Sequence, residues 1–371
     1  MDISIIVPLY QGRQYIRPVI EMVEHNQEML KREGEEKEAE LIFVNDFPGE
    51  EMKEEDFPGD SSIPIQIVKN PHNLGIHESR FIGLSKAQGS YIVFLDQDDE
   101  ISPLYLYRQL KYIGQADVVI CNGTYRGNRT IYKDEKHQRE SISKRGYLKE
   151  GNYIVSPGQA MIRKTSIPGT WKKNILKENG SDDALLWLSM LDGEKIFAAN
   201  PYCDYTHKED RHNTSYNFKG MRKSAEEIWT VIKNRKLLAE DYFAQVGPIL
   251  FGRIVKHKQY EELFERWPDV LVRLAELCKE KKKIAIYGYG IAGKKLSRDL
   301  GNMDIKPEFF IDQAADCFQD ADDNVYKPEN MPEKVDFIIV TPLFAESQIK
   351  KGLGKYGIPV ISLGELKTMG R

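Results

Sequence analysis

The stretch SYIVFLDQDDEISP, residues 90–103, drives an apolar run straight into three carboxylates. Tyr91 to Leu95 is short, β-branched and aromatic, with Gly89-Ser90 before it and Asp96, Asp98 and Asp99 after it. A continuous apolar run of this length suits a strand buried on both faces, as in a parallel sheet. If the extended backbone persists through Gln97, Asp96 and Asp98 share a face. Two carboxylates so placed repel unless something positive lies between them. A divalent cation, Mg²⁺ or Mn²⁺, with phosphate oxygens completing its shell, meets that need. The alternative is an acidic turn leading into a helix near Pro103, with Ser102 as its N-cap.

Strand and helix alternate around this stretch. Residues 3–10 (ISIIVPLY), 39–46 (AELIFVND), 65–70 (IQIVKN) and 116–121 (ADVVIC) read as further strands. Residues 15–30 and 76–88 read as helices, and an acidic Gly/Pro loop covers 47–62. Alternation of this kind indicates an α/β sheet with parallel pairs, which takes ligands at the carboxyl ends of its strands. Asp46 and Asp96 both stand at such ends. Residues 124–150 are polar and weakly periodic, and read as either a lid over a site or a surface excursion. Residues 180–191 (GSDDALLWLSML) form a helix with Ser181 as N-cap and two acids in its first turn. Residues 219–282 are helical and highly charged and form a connector. From residue 283 the chain reads as a separate small domain, with strands expected at 306–313, 335–341 and 358–363. The domain boundaries expected are therefore 1–218, 219–282 and 283–371.

Bulk properties narrow the class. A chain of 371 residues has room for two or three domains. With 41% hydrophobic and 30% charged residues it has the make-up of a soluble globular protein. A net charge of −4 argues against a dedicated nucleic-acid binder. Cys121, Cys203, Cys278 and Cys317 form no CxxC pair and read as reduced, buried thiols. The first ten residues do not read as a signal peptide, and no apolar stretch is long enough to span a bilayer, so a cytoplasmic location is expected, with peripheral membrane association open.

The blocks ISIIVPLYQGRQYI, LIFVND, NPHNLGIHESRFIGLSKAQGSYIVFLDQDD and GSDDALLWLSML, in this order, resemble the family 2 glycosyltransferases of GT-A fold. The resemblance covers roughly residues 1–218 and is most specific from Asn70 to Asp99. It implies a mixed, mostly parallel sheet, a nucleotide-diphosphate sugar donor (UDP-sugar above all) and a divalent metal. It also implies inverting transfer to a hydroxyl of a glycan, lipid-linked or other acceptor, as in bacterial surface polysaccharide synthesis. By position, Asp96 and Asp98 match the metal-motif carboxylates, with Asp98 the direct ligand and Asp96 nearer the ribose or a metal-bound water. Asp46 matches the acid that holds the base, and a carboxylate suits the N3–H donor of uracil. Asn45 stands where the family has a further Asp, which leaves the base contacts open. Arg80 matches the arginine near base and diphosphate, and Pro8 and Tyr10 the lining of the base pocket. Asp182-Asp183 takes the place of a Glu-Asp pair, and Asp183 is expected to be the general base. Helix capping is the alternative for that pair. In YTHKEDRHNTS (205–215), His207 and Arg211 are candidates to close over the diphosphate, or members of an ordinary polar loop.

The last domain carries GYGIAG, Gly288 to Gly293, between a strand and a helix, with Asp312 at the end of the next strand. This spacing fits a dinucleotide fingerprint, in which Gly288, Gly290 and Gly293 approach phosphates and Asp312 accepts from ribose hydroxyls. The domain resembles small Rossmann-like domains appended to bacterial sugar-processing proteins. A docking or structural role is the favoured expectation for it, with NAD(P) binding the alternative. Two other functions compete with transfer. One is a non-catalytic nucleotide-sugar or NAD-binding regulator. The other is an NAD-dependent sugar oxidoreductase using residues 283–371, against which the absence of a Tyr-x-x-x-Lys pair in that domain counts.

Overall fold

The computed structural model describes residues 1–125, 129–208, 216–278, 282–318, 324–332 and 334–368. The chain forms two compact units: residues 1–126, 130–215 and 223–251 make the first, and 127–129, 216–222 and 252–371 the second.

The first unit is built on strands β1 (Ile3–Leu9), β2 (Ala39–Asn45), β3 (Ile65–Lys69), β4 (Tyr91–Phe94), β5 (Glu100–Ile101), β6 (Val118–Tyr125), β7 (Arg129–Thr130), β8 (Ala160–Arg163) and β9 (Phe197–His207). Among the described residues the sheet order is β3-β2-β1-β4-β8-β6-β9-β5. Strands β3, β2, β1 and β4 are mutually parallel. β8 then runs antiparallel to both β4 and β6, and β9 parallel to β6. The sheet is thus mixed and mostly parallel, as expected. Strands β1, β2 and β4 are buried along nearly their whole length, as suits strands covered on both faces, whereas the edge strand β3 is half-exposed. Ile3, Ile5, Ile6, Leu41, Phe43, Ile92 and Phe94 are all fully buried.

Helices α1 (Ile16–Arg32), α2 (Ile76–Lys86) and α3 (Tyr105–Ile113) follow the first four strands. α1 buries Ile16, Val19, Ile20, Val23 and Leu30, a 3.6-residue stripe. α2 packs so closely that a Cβ on Gly83 would overlap the Ile6 side chain.

Several local expectations are corrected. Strand β4 ends at Phe94 and the chain turns at 97–98, with Asp99 N–H donating to Asp96 O at 3.2 Å. Asp96 and Asp98 are therefore grouped by a turn and do not share a strand face. Ser102 does not cap a helix, because its hydroxyl donates to Asp204 Oδ1 at 2.6 Å and α3 starts two residues later than expected. Residues 124–150 are no open excursion: they hold α4 (Glu135–Ser141) and α5 (Lys144–Glu150) and bury Tyr132, Ile142 and Tyr147. Their polar composition hid a few widely spaced anchors. Cys203 is exposed, whereas Cys121 and Cys278 are buried.

After α6 (Gly169–Lys173) comes α7 (Asp182–Asp192), in which every residue from Ala184 to Leu191 is buried, the polar Ser189 included. Ser181 stands at the N-cap position of α7 but makes no capping bond, since Ser224 Oγ lies 2.7 Å from its hydroxyl. The long helices α8 (Phe218–Arg235), α9 (Glu240–Glu265) and α10 (Trp267–Leu277) follow. None of the described helices is long and apolar enough to cross a membrane.

The second unit contains β10 (Ile284–Tyr287), α11 (Ile291–Gly301), β11 (Phe309–Ile311), β12 (Val325–Tyr326), β13 (Phe337–Val340), α12 (Glu346–Leu353), β14 (Val360–Ser362) and α13 (Leu363–Thr368). Its strands are all parallel, in the order β12-β11-β10-β13-β14. Its core also takes in Tyr260, Leu263, Trp267, Val270 and Leu274 from α9 and α10. A fragment of residues 252–371 is therefore expected to melt cooperatively. Within it Trp267→Ala should cost about 3–5 kcal/mol, as for a large buried aromatic, and a fragment starting at 283 should be less stable still. Urea denaturation followed by circular dichroism measures all three.

Candidate active site

The carboxyl ends of β1, β2 and β4 deliver most of the expected residues to one edge of the first sheet. Asp46, at the end of β2, is buried and saturates a loop. Its Oδ1 accepts from Asn70 Nδ2 at 2.9 Å and from Leu74 N at 2.7 Å, and its Oδ2 from Gly75 N at 2.8 Å. A carboxylate has about four acceptor positions, so Oδ2 keeps one. The Asn-x-Gly segment therefore matters because Asp46 fixes it, and Gly75, at φ +89°, turns the chain into α2.

α2 carries Arg80, which is 2% exposed. Its guanidinium reaches two elements at once: Nη1 donates to Asp182 Oδ2 at 2.6 Å, and Nη2 pairs with Asp96 Oδ1. Burial works against the charged guanidinium, but Asp182 and then Asp96 outweigh it and hold the proton more firmly than usual. Trp171 Nε1 donates to Asp182 O at 3.0 Å and anchors the start of α7. His77 stacks on Trp171 with ring centroids 4.4 Å apart, one turn before Arg80 on α2. Asp96 also receives Ser156 Oγ at 3.3 Å.

The second acid of the pair faces a different environment. Asp183 is half-buried and accepts from Asn152 Nδ2 at 3.2 Å. Asp182 is thus committed to an arginine, while its neighbour has a neutral amide partner.

At the acidic turn itself, Asp98 is pushed up to about 6 by burial and by the nearby Asp99 and Asp96 charges. It lines a cavity of about 730 Å³ together with Tyr15, Met22, Gln97 and Ile101. Asp99, only 2% exposed, is a structural acid. It pairs with Tyr205 OH through Oδ2 and lies 3.0 Å from His207 Nδ1 through Oδ1. Lys208 N–H donates to the same Oδ1 at 3.2 Å. Burial raises the Asp99 carboxyl despite the His207 hydrogen bond. Burial would lower His207, but the Asp99 hydrogen bond and charge raise it above its ordinary value. The His207 ring also stacks on Tyr125, centroids 5.4 Å apart.

Among the described residues no group of three or more His, Cys, Asp or Glu side chains converges as a complete metal cage. The pair Asp96 and Asp98 instead fits an ion that shares its shell with a diphosphate and water, as Mg²⁺ and Mn²⁺ do. The crowding that raises Asp98 is what a cation relieves.

The first strand leads to the remaining expected residues. Pro8 is half-buried in β1, and Tyr10 is 47% exposed with its ring edge-on to Phe47 at 5.2 Å. Gln97 ties this segment to the acidic turn: Tyr10 N donates to Gln97 Oε1 at 2.9 Å, and Gln97 Nε2 donates back to Tyr10 O at 3.2 Å. Arg211 lies outside the described residues. Asp99, Tyr205, Gln97, Ser156 and Asn152 were not singled out for roles by sequence reasoning. A signal existed for one set only, since Tyr205 and His207 alternate in register on one strand.

With this geometry in hand, comparison with known proteins is informative. Residues 4–169 match the family described as Glycosyl transferase family 2. An "Uncharacterized glycosyltransferase" of Haemophilus influenzae is 34% identical over 137 residues, 33% of this chain and 46% of that relative. The "Putative glycosyltransferase EpsH" of Bacillus subtilis is 32% identical over 124 residues, 32% of this chain and 33% of that relative. The chain thus spans less than half the length of these curated relatives. Among solved structures, S. aureus TarS 1-349 is 16% identical with a TM-score of 0.42, covering 69% of this chain and 71% of that one. The same protein in complex with UDP-GlcNAc gives 17% identity and a TM-score of 0.43, covering 69% and 72%.

The Arg80 bridge is testable by itself. Arg80→Met leaves two carboxylates beside an apolar side chain and should destabilise the first unit by about 3–5 kcal/mol, the cost of breaking a buried pair. Asp182→Asn in the same background should add little further loss, because its partner has gone. Urea melts of the full chain and its three variants close the cycle.

Proposed function

We propose that the first unit is a metal-dependent inverting glycosyltransferase. It moves a sugar from a nucleotide-diphosphate sugar, with UDP as the nucleotide, onto a hydroxyl of a glycan or glycoconjugate acceptor. One observation supports this reading: Arg80 takes Asp182 and one oxygen of Asp96, while Asp98, crowded by Asp96 and Asp99, lines a cavity and Asp183 accepts from the neutral Asn152 amide.

Each group then has work that its surroundings suit. Pro8 and Tyr10 offer a surface for the base, and the remaining acceptor position on Asp46 Oδ2 suits the uracil N3–H. Asp96 and Asp98 would hold Mn²⁺ or Mg²⁺, which when bound screens the charge of the departing diphosphate. His207, whose hold on its proton is raised by the Asp99 hydrogen bond and charge, favours a further positive charge on the same side. Asp183 takes the proton from the acceptor hydroxyl as the sugar carbon is attacked on the face opposite the diphosphate. Asp182 cannot serve, since Arg80 occupies its Oδ2 and fixes its orientation. Acceptors consistent with this chemistry are the glycan or lipid-linked hydroxyls of bacterial surface polysaccharide synthesis, reached from the cytoplasmic side.

Two variants separate binding from chemistry. Asp98→Ala should abolish Mn²⁺-dependent UDP binding in calorimetry together with turnover; equal UDP affinity in EDTA and in Mn²⁺ for the unaltered chain would sink the metal assignment. Asp183→Asn should bind UDP-sugar normally and lose about two to four orders of magnitude in transfer rate, the range for a missing general base. Near-normal transfer by that variant would leave Asp183 as a helix-start residue and nothing more.

A further inference from the structure

Strands β1 and β4 part company just before they reach the site. Their register runs from Ile3 opposite Tyr91 to Ile6 opposite Phe94, and the last rung is Leu95 N–H donating to Ile6 O at 3.0 Å. The chain after β4 then turns through Asp96 to Asp99, whereas β1 continues to Leu9. In a parallel pair, alternate residues offer their N–H and C=O to the same neighbour. Pro8 and Tyr10 therefore come next on this side of β1. Pro8 has no N–H to offer. Tyr10 has both groups, and it lies beyond the end of β4.

Gln97 fills the missing place with a side chain. Its Oε1 accepts from Tyr10 N at 2.9 Å, and its Nε2 donates to Tyr10 O at 3.2 Å. A planar amide that accepts and donates at once does what a strand residue does, and among side chains only Gln and Asn carry one. A carboxylate in the second unit shows the contrast. Asp312 braces the glycine turn there by accepting twice, from Tyr289 N at 2.9 Å and from Ala314 N at 2.8 Å, and an ionised acid has no proton to give back.

The segment on the other side of the contact is shaped around this amide. Gly12 is buried, and a Cβ there would overlap Gln97 Oε1. Its φ of −114° does not demand glycine, so the space taken by Gln97 is what favours it. Gln11 has φ +50°, a left-handed conformation that a residue other than glycine holds only where its neighbours fix it. From the β2 side, Asp46 N donates to Leu9 O at 2.8 Å. The end of β1 is thus pinned between the residue that follows β2 and the residue that separates Asp96 from Asp98.

We propose that Gln97 is a positioning residue for the nucleoside diphosphate of the donor. It acts through Tyr10. By carrying the β1–β4 pairing past the end of β4, it fixes the wall that meets the base relative to the carboxylates that meet the metal and diphosphate. A wall held in place before the ligand arrives spares an ordering cost on binding. Tyr10 faces the base and Asp98 the metal in the transferase reading above, on which this role rests.

The test is calorimetric titration of the full chain with UDP and with inorganic pyrophosphate, both in Mn²⁺. It is repeated on Gln97→Met, Gly12→Ala and the double variant, with circular dichroism to check that each is folded. Gln97→Met keeps an unbranched side chain and removes both hydrogen bonds. Gly12→Ala leaves Gln97 in the chain and pushes its amide off Tyr10. Each single variant should weaken UDP about tenfold and leave pyrophosphate, which has no base, unchanged. The double variant should bind UDP no more weakly than Gln97→Met, because both changes act on one contact. With an unaltered chain that binds both ligands, three outcomes overturn this role and leave the transferase reading standing. They are UDP affinity unchanged in both single variants, pyrophosphate weakened as much as UDP, and losses that add in the double variant. An unaltered chain that binds neither ligand in Mn²⁺ overturns the transferase reading, and this role with it.

Discussion

A single buried guanidinium organises the first unit. Arg80 projects from α2 between the end of β4 and the start of α7, and its two terminal nitrogens each take a carboxylate. Without it, Asp96 and Asp182 would be two like charges in a poorly solvated crevice, and one of them would protonate or move. Only a planar, permanently charged fork can hold both in fixed directions; a lysine would offer a point charge on a flexible stem. The bridge has its own prerequisite, because α2 must begin in the right place. Asp46 provides that by gripping Asn70 and the backbone of Leu74 and Gly75.

The same residue type is thereby sorted into different tasks by its surroundings. Asp182 is committed to Arg80, and Asp46 spends most of its acceptor positions on the loop before α2. Asp99 is buried against Tyr205 and His207, where it orients an imidazole and joins the acidic turn to the end of β9. Asp98 is half-buried and crowded by Asp99 and Asp96, so its surroundings disfavour its charge. Asp183 sits one residue from a committed acid yet faces an amide. Neighbouring positions on a helix start point about 100° apart, so consecutive acids meet unlike partners as a matter of geometry.

The strand ends of the two units present opposite electrostatics. At the edge of the first sheet the strands end in carboxylates, which repel a diphosphate unless a divalent ion intervenes. At the edge of the second, the chain turns through glycines into the N-terminus of α11, where backbone dipoles supply the positive potential.

Much of this was written in the sequence. Runs such as ISIIVPL and YIVF are legible as buried parallel strands because helices on both faces demand apolar side chains at every position. The glycine spacing from 288 to 293 is legible because backbone conformation and close approach restrict those positions locally. Short-range physics of this kind needs no partner from elsewhere in the chain. What remained for the tertiary structure was everything decided between distant segments. Ser102 and Ser181 sit where caps belong, yet their hydroxyls are taken by Asp204 and Ser224. The antiparallel strand β8 and the anchors Tyr132, Ile142 and Tyr147 lie in polar surroundings that mask them. Above all, sequence could nominate Asp96, Asp98, Asp182 and Asp183 but could not say which would be neutralised. That depends on Arg80 standing between residues 96 and 182, and a contact across so many intervening residues exists only once the chain has folded.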